Sequence, residues 1–180
     1  MHIRVTVLTI AAAAVTALAC GSDNSTQPAS KIVSFAATLT PAGELGATLN
    51  GNPTGSGTFT GTLDTSTHVF TYSVTFSGLT SNVKFGHIHG PFVAGGGTNS
   101  AGVILNFDPA IVAGATFTGL GSGTTGSATG TVTLTAANSF GNSAVHGDSI
   151  EKLLLAGDTY VNIHTTSNPA GEIRAQILKQ

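Results

Sequence analysis

Thr58-Phe59-Thr60-Gly61-Thr62-Leu63, then Asp64-Thr65-Ser66-Thr67, then Val69-Phe70-Thr71-Tyr72-Ser73-Val74-Thr75-Phe76 is the stretch that decides the fold. Phe59, Gly61 and Leu63 alternate with three threonines. Phe70, Tyr72, Val74 and Phe76 alternate with Val69, Thr71, Ser73 and Thr75. A period of two puts one set on a buried face and the other toward water, which is a half-buried β-strand and not a helix. The Asp-Thr-Ser-Thr cluster between the two runs is turn chemistry, so the pair reads as a hairpin.

The same period extends outward. Val33, Phe35, Ala37 and Leu39 share one face of an earlier strand. Further strands are expected at Val83–His89, Val103–Phe107, Thr129–Thr135, Thr159–Thr165 and Glu172–Leu178. One helical turn is expected at Ser149–Leu155, with Ser149 as its cap. Gly119–Gly130 reads as a connector and Gly90–Gly102 as a loop that shapes a site mouth. Neither has the Gly-Lys-Ser/Thr ending of a phosphate cradle. The fold class is all-β, an antiparallel sandwich or barrel.

Composition agrees. The chain has 180 residues, 24 of them Gly, with 41% hydrophobic and 8% charged residues. That apolar share excludes intrinsic disorder. Six Lys+Arg against eight Asp+Glu lack the clustered positive charge of a nucleic-acid surface, so no nucleic-acid partner is expected. Residues 1–20 read as a secretory signal. His2 and Arg4 precede the apolar run Val5–Leu18, which is too short to span a membrane. The run ends in Ala17-Leu18-Ala19-Cys20, which resembles the lipobox of bacterial lipoproteins, and Cys20 is the only cysteine. Cleavage there would leave Cys20 lipidated. A plain signal cleaved after Ala19 is the alternative. Residues 21–30 (GSDNSTQPAS) are a polar tether, and residues 31–180 the β domain. The expected location is the bacterial cell envelope on the extracytoplasmic side, with the membrane as partner through the lipid.

Histidines carry the candidate chemistry. Two residues apart on a strand, His87 and His89 point the same way while Ile88 faces inward. Val161 and Ile163 inward place Asn162 and His164 on the polar face of a later strand. Three imidazoles on two strands make a candidate copper or zinc site; the alternative is that all three are simply solvated. Pairing about Asn168 sets His164 opposite Glu172 and Asn162 opposite Arg174. Glu172 could then orient His164 or form an ion pair with Arg174 that positions the hairpin. His146 and His68 read as loop and turn residues.

His87-Ile88-His89-Gly90, Leu155-Ala156-Gly157, Tyr160-Val161-Asn162-Ile163-His164-Thr165 and Asn168-Pro169-Ala170-Gly171-Glu172-Ile173-Arg174 together resemble the chordin-type (CHRD) domain. Upstream, Phe35–Leu39, Glu44, Gly57-Thr58-Phe59 and Tyr72–Leu79 fit its first half, so the resemblance spans Ser34–Leu178. The chain departs from the pattern at Leu45-Gly46, where a Pro-containing stretch is usual, and at Ala175, where Gly is commoner. The resemblance implies an immunoglobulin-like β-barrel with a distant likeness to copper–zinc superoxide dismutase, whose copper site also uses a His-X-His strand. On that analogy His87, His89 and His164 are copper ligands. A bridging histidine, a disulfide and the zinc-loop ligands lack counterparts here, which speaks against dismutase activity. The leading expectation is a lipid-anchored, non-enzymatic binding module for a metal ion or an envelope partner. A copper-dependent redox enzyme and a purely structural or adhesive module are the alternatives.

Overall fold

The computed structural model describes residues 31–93, 100–107, 116–141 and 144–180. The signal, the tether and Cys20 lie outside the described residues. Two antiparallel sheets face each other. The first contains β1 (Ile32–Leu39), β2 (Ser56–Asp64), β3 (Val69–Ser77), β6 (Thr116–Thr118), β7 (Gly126–Thr133) and β10 (Leu178–Lys179) in the order β10-β1-β2-β3-β7-β6. The second contains β4 (Val83–His89), β5 (Val103–Asn106), β8 (Tyr160–Thr165) and β9 (Ile173–Gln176) in the order β5-β4-β8-β9. The all-β expectation holds.

The alternation in β2 and β3 is translated directly into burial: Phe59, Leu63, Phe70, Tyr72, Val74 and Phe76 are buried. Their rings form a continuous cluster. Phe35 meets Phe70 edge-on at 6.1 Å, and Tyr72 lies 5.9 Å from Phe70 and 5.0 Å from Phe107 of the opposite layer. Each fully buried side chain of this size contributes roughly 1.5–3 kcal/mol by leaving water. The core therefore needs no disulfide.

Three local expectations are corrected. The Gly-rich stretch 119–130 is not only a connector, because Gly126 to Thr133 form β7 beside β3. A side chain at Gly126 would strike the Leu120 carbonyl and the Phe76 ring, so glycine there accommodates an aromatic neighbour within a strand. The helix α1 runs from Gly147 to Ala156, starting two residues before Ser149. His146 occupies the N-cap position without a side-chain cap, and Gly157 closes the helix at φ +78. Finally, Glu172–Leu178 is not one strand. Buried Ile177 is a pivot between β9 in one sheet and β10 in the other.

Candidate metal centre

The β4–β8 register builds the site. His87 faces Asn162, His89 faces Tyr160 and Phe85 faces His164, with an irregularity between Val83 and Phe85. His164 is therefore diagonal to His87 on the same face, a separation that large rings bridge. The imidazole centroids lie 5.0 Å apart for His87 and His164, 5.5 Å for His87 and His89, and 5.9 Å for His89 and His164. One nitrogen from each ring lies within 4.8 Å of the others.

Hydrogen bonds select the nitrogen for two of the three rings. His89 Nδ1 is 2.9 Å from the Ala101 carbonyl and His164 Nδ1 is 3.0 Å from the Pro169 carbonyl. A carbonyl only accepts, so each Nδ1 carries the proton and each Nε2 keeps its lone pair. His164 Nε2 faces His87 Nδ1 at 3.2 Å. His89 Nε2 is buried with no hydrogen-bond partner. A tetrahedral ion at ~2.0–2.1 Å from nitrogen needs donors about 3.3 Å apart, so a modest closure suffices. Fixing the remote nitrogen to a carbonyl is the arrangement that orients metal-ligating histidines. The residues present fit a copper or zinc ion.

The trio does not lie solvated on an outer skin. His87, His89 and His164 are 8%, 7% and 8% exposed, which disposes of the solvated alternative. Burial lowers the basicity of all three. His87 is pushed down to about 3 by burial and by the neighbouring His164 and His89. His89 is pushed down to about 4, chiefly by burial, against the opposing bond to Ala101. His164 is also lowered by burial. All three imidazoles are neutral at neutral pH, as ligation requires.

The cover comes from the chain after β1. Thr40 leaves the first sheet and bridges Arg174 at the edge of the second, with Arg174 N–H donating to the Thr40 carbonyl at 3.1 Å. Residues 44–47 then come beside His89 and Arg174. A cleft of about 220 Å³ opens there, lined by Glu44, Leu45, His89, Tyr160, Asn162 and Arg174 among others. Two larger concavities, of about 460 and 380 Å³, lie on the threonine-rich outer face of the first sheet and present no histidine or carboxylate, and another of about 330 Å³ is lined by His68, Asp148 and Glu151, away from the trio. Tyr160 stacks on His89 at 4.6 Å with the rings nearly parallel, and the Arg174 guanidinium sits 3.4 Å over the Tyr160 ring and 4.5 Å from Phe92. Burial raises the Glu44 carboxyl to about 7, although the Arg174 charge and Asn162 pull it down.

Asn162 and Arg174 are paired across the β8–β9 hairpin as expected. The role expected of Glu172 is overturned. It neither orients His164 nor pairs with Arg174. Its carboxylate accepts from Thr80 N–H at 2.7 Å, the Thr80 hydroxyl at 2.6 Å, the Thr165 hydroxyl at 2.7 Å and Asn168 Nδ2 at 3.1 Å. The backbone carbonyl of Pro169 orients His164, and the carboxylate acting on Arg174 is Glu44. His146 is exposed at the helix start, and His68 lies 2.8 Å from the Glu151 carboxylate, both outside the trio. The stacking roles of Tyr160 and Phe92 and the two carbonyls carried no signal in the sequence, because each depends on strand register or on the path of the backbone in space rather than on residue spacing.

Gly171 packs this cover shut. Its φ is +133, and a side chain there would land on the Glu44 carboxylate and the Asn162 amide. Gly171→Ala is expected to lose about 2–3 kcal/mol of stability by strain and displacement, measured by thermal unfolding. An unchanged melting temperature would contradict this packing.

No curated protein and no solved structure matches the chain. The sequence profile of the CHRD domain matches residues 35–177, a span that contains the whole histidine trio and both sheets except the start of β1 and β10. The chain belongs to the CHRD domain family.

Proposed function

We propose that this domain holds one copper or zinc ion through His87, His89 and His164, on the extracytoplasmic side of a bacterial membrane to which lipidated Cys20 tethers it. The observation that carries the metal reading is the convergence of three buried, neutral imidazole nitrogens within 4.8 Å, one of them without any hydrogen-bond partner. Imidazole donors suit zinc and copper, and copper(II) heads the affinity order for divalent ions. Among the described residues the ligand set has three members. A structural zinc normally takes four protein ligands, so a fourth position is left for an exogenous ligand. When bound, the ion would supply Lewis-acid chemistry, or with copper a redox centre. The chain's own residues hold the donors neutral and fix the orientation of His89 and His164 through the Ala101 and Pro169 carbonyls. The anchor reading is supported by the apolar run Val5–Leu18 ending at the lone Cys20. An envelope component is the macromolecular partner this location implies.

Elemental analysis of tag-free protein, equilibrated with copper or zinc and desalted, tests the metal. One equivalent per chain is expected in the wild type, with affinity at least about 100-fold weaker in His87→Ala and His164→Ala. A wild type that retains neither ion, or variants that retain full stoichiometry, would overturn the reading. Cys20→Ser should move the protein from the membrane fraction to the soluble one; unchanged membrane association contradicts the anchor.

A further inference from the structure

The three imidazoles are held in different ways. His164 is fixed by a carbonyl of its own turn, that of Pro169. His87 lies 5.8 Å from the ring of Phe85, an exposed side chain. His89 is enclosed by a brace drawn from separate parts of the chain. Tyr160, its neighbour across the β4–β8 ladder, stacks on it at 4.6 Å with 3° between the ring planes. The opposite face of the phenol ring carries the Arg174 guanidinium at 3.4 Å, and Phe92 meets the ring edge-on at 5.1 Å. Phe92 is anchored in turn, its N–H donating to the Asp158 carbonyl at 2.8 Å and its carbonyl accepting from Gln176 Nε2 at 3.2 Å. The Tyr160 ring has no room to tilt away from the imidazole.

Ala101 closes the unit. Its carbonyl accepts from His89 Nδ1 at 2.9 Å, and its N–H donates to the Tyr160 hydroxyl at 3.1 Å. One side chain therefore acts on His89 twice. The ring face fixes the imidazole plane, and the hydroxyl fixes the residue whose carbonyl selects the tautomer. The nitrogen left with its lone pair, Nε2, is the one that is buried without a hydrogen-bond partner. We propose that Tyr160 is a positioning residue of the metal centre, setting the plane and the tautomer of His89 and through them the place of Nε2. The inference rests on the metal reading and deepens it by naming the side chain that pre-organises one ligand.

Two variants separate the two actions, because Tyr160→Phe keeps the stack and loses the hydroxyl whereas Tyr160→Leu loses both. The readouts are the copper(II) dissociation constant, the nitrogen hyperfine pattern of bound copper(II), and, in metal-free protein, the exchange of the His89 and His164 Nδ1 protons with water followed by NMR. Tyr160→Phe should hold copper within about threefold of wild type with an unchanged hyperfine pattern, while the His89 proton exchanges at least about tenfold faster. Tyr160→Leu should weaken copper at least about tenfold and alter the hyperfine pattern. In both variants the His164 proton should stay within about twofold of wild type, a contrast that general loosening of the fold does not produce. In the wild type, which needs no variant to fold, the His89 Nδ1 proton should exchange far more slowly than the ring protons of exposed His146. Wild-type copper affinity and hyperfine pattern in Tyr160→Leu, equal acceleration at His89 and His164, or a His89 proton as labile as those of His146 would each overturn the proposal. A wild type that binds no copper marks failure of the metal reading instead, and the proton exchange then decides by itself whether Tyr160 braces His89.

Discussion

Glu172→Ala is expected to cost about 3–5 kcal/mol of folding stability, read from urea or thermal unfolding. The carboxylate is fully buried and accepts four hydrogen bonds from Thr80, Thr165 and Asn168. Truncation leaves all four donors facing an apolar hole. Burial alone would raise the Glu172 carboxyl, but those donors outweigh it and hold it below the usual carboxylate range. A depressed carboxylate contributes stability in full above its unfolded pKa and loses it as pH falls through the folded value. The mutational cost should therefore be largest at neutral pH and shrink below about pH 4. Glu172→Gln keeps one acceptor and should cost roughly half as much. The effect should also reach the metal. Asn168 and Thr165 define the turn whose Pro169 carbonyl holds His164 Nδ1, so zinc affinity should fall in Glu172→Ala even where the protein remains folded. A stability within about 1 kcal/mol of wild type would show that the clamp is not a keystone.

Zinc affinity should fall by less than about tenfold between pH 7 and pH 5, measured by competition with a chromophoric chelator. An exposed trio with ordinary histidine pKa values would lose roughly four orders of magnitude over the same range, because each ring must first give up a proton. Here the sign of the shift removes that competition. His87 and His89 are held down to about 3 and 4, so both stay neutral across this range, and burial shifts His164 in the same direction. The groups facing the trio are Glu44, Tyr160 and Arg174. Of these, only Glu44, raised to about 7, changes charge within the window. Taking up a proton there removes one negative charge near the ion, a smaller effect than protonating a ligand. A loss of several orders of magnitude would mean that the rings are solvated and that their burial is not maintained in solution.

Both expectations depend on different depths of reading. Phe59, Leu63, Phe70 and Phe76 announce their strands because a period of two is local, and burial follows it residue by residue. His87 and His89 share a face for the same local reason. The hairpin that pairs Asn162 with Arg174 was equally legible, since a short turn leaves few registers. Glu172 was legible in position but not in role. Its partners Thr80 and Asn168 come from segments 92 and 4 residues away, and the more distant one decides what the carboxylate does. Gly126 of β7 was read as part of a connector because its purpose, room for the Phe76 ring, belongs to a neighbouring strand.

The amino-acid order by itself determined most of the strands, the alternation that makes one face of each a core face, and the three imidazoles as a set worth watching. Periodicity is a property of neighbours along the chain, so no tertiary information is required to see it. The tertiary structure alone decided that His87 and His164, 77 residues apart, meet at 3.2 Å, and that residues 44–47 line a cleft beside His89. Register between strands from distant parts of the chain is set by the packing of the whole sandwich. So is the choice of which loop closes over which face, and with it the burial that makes three ordinary histidines ready for a metal.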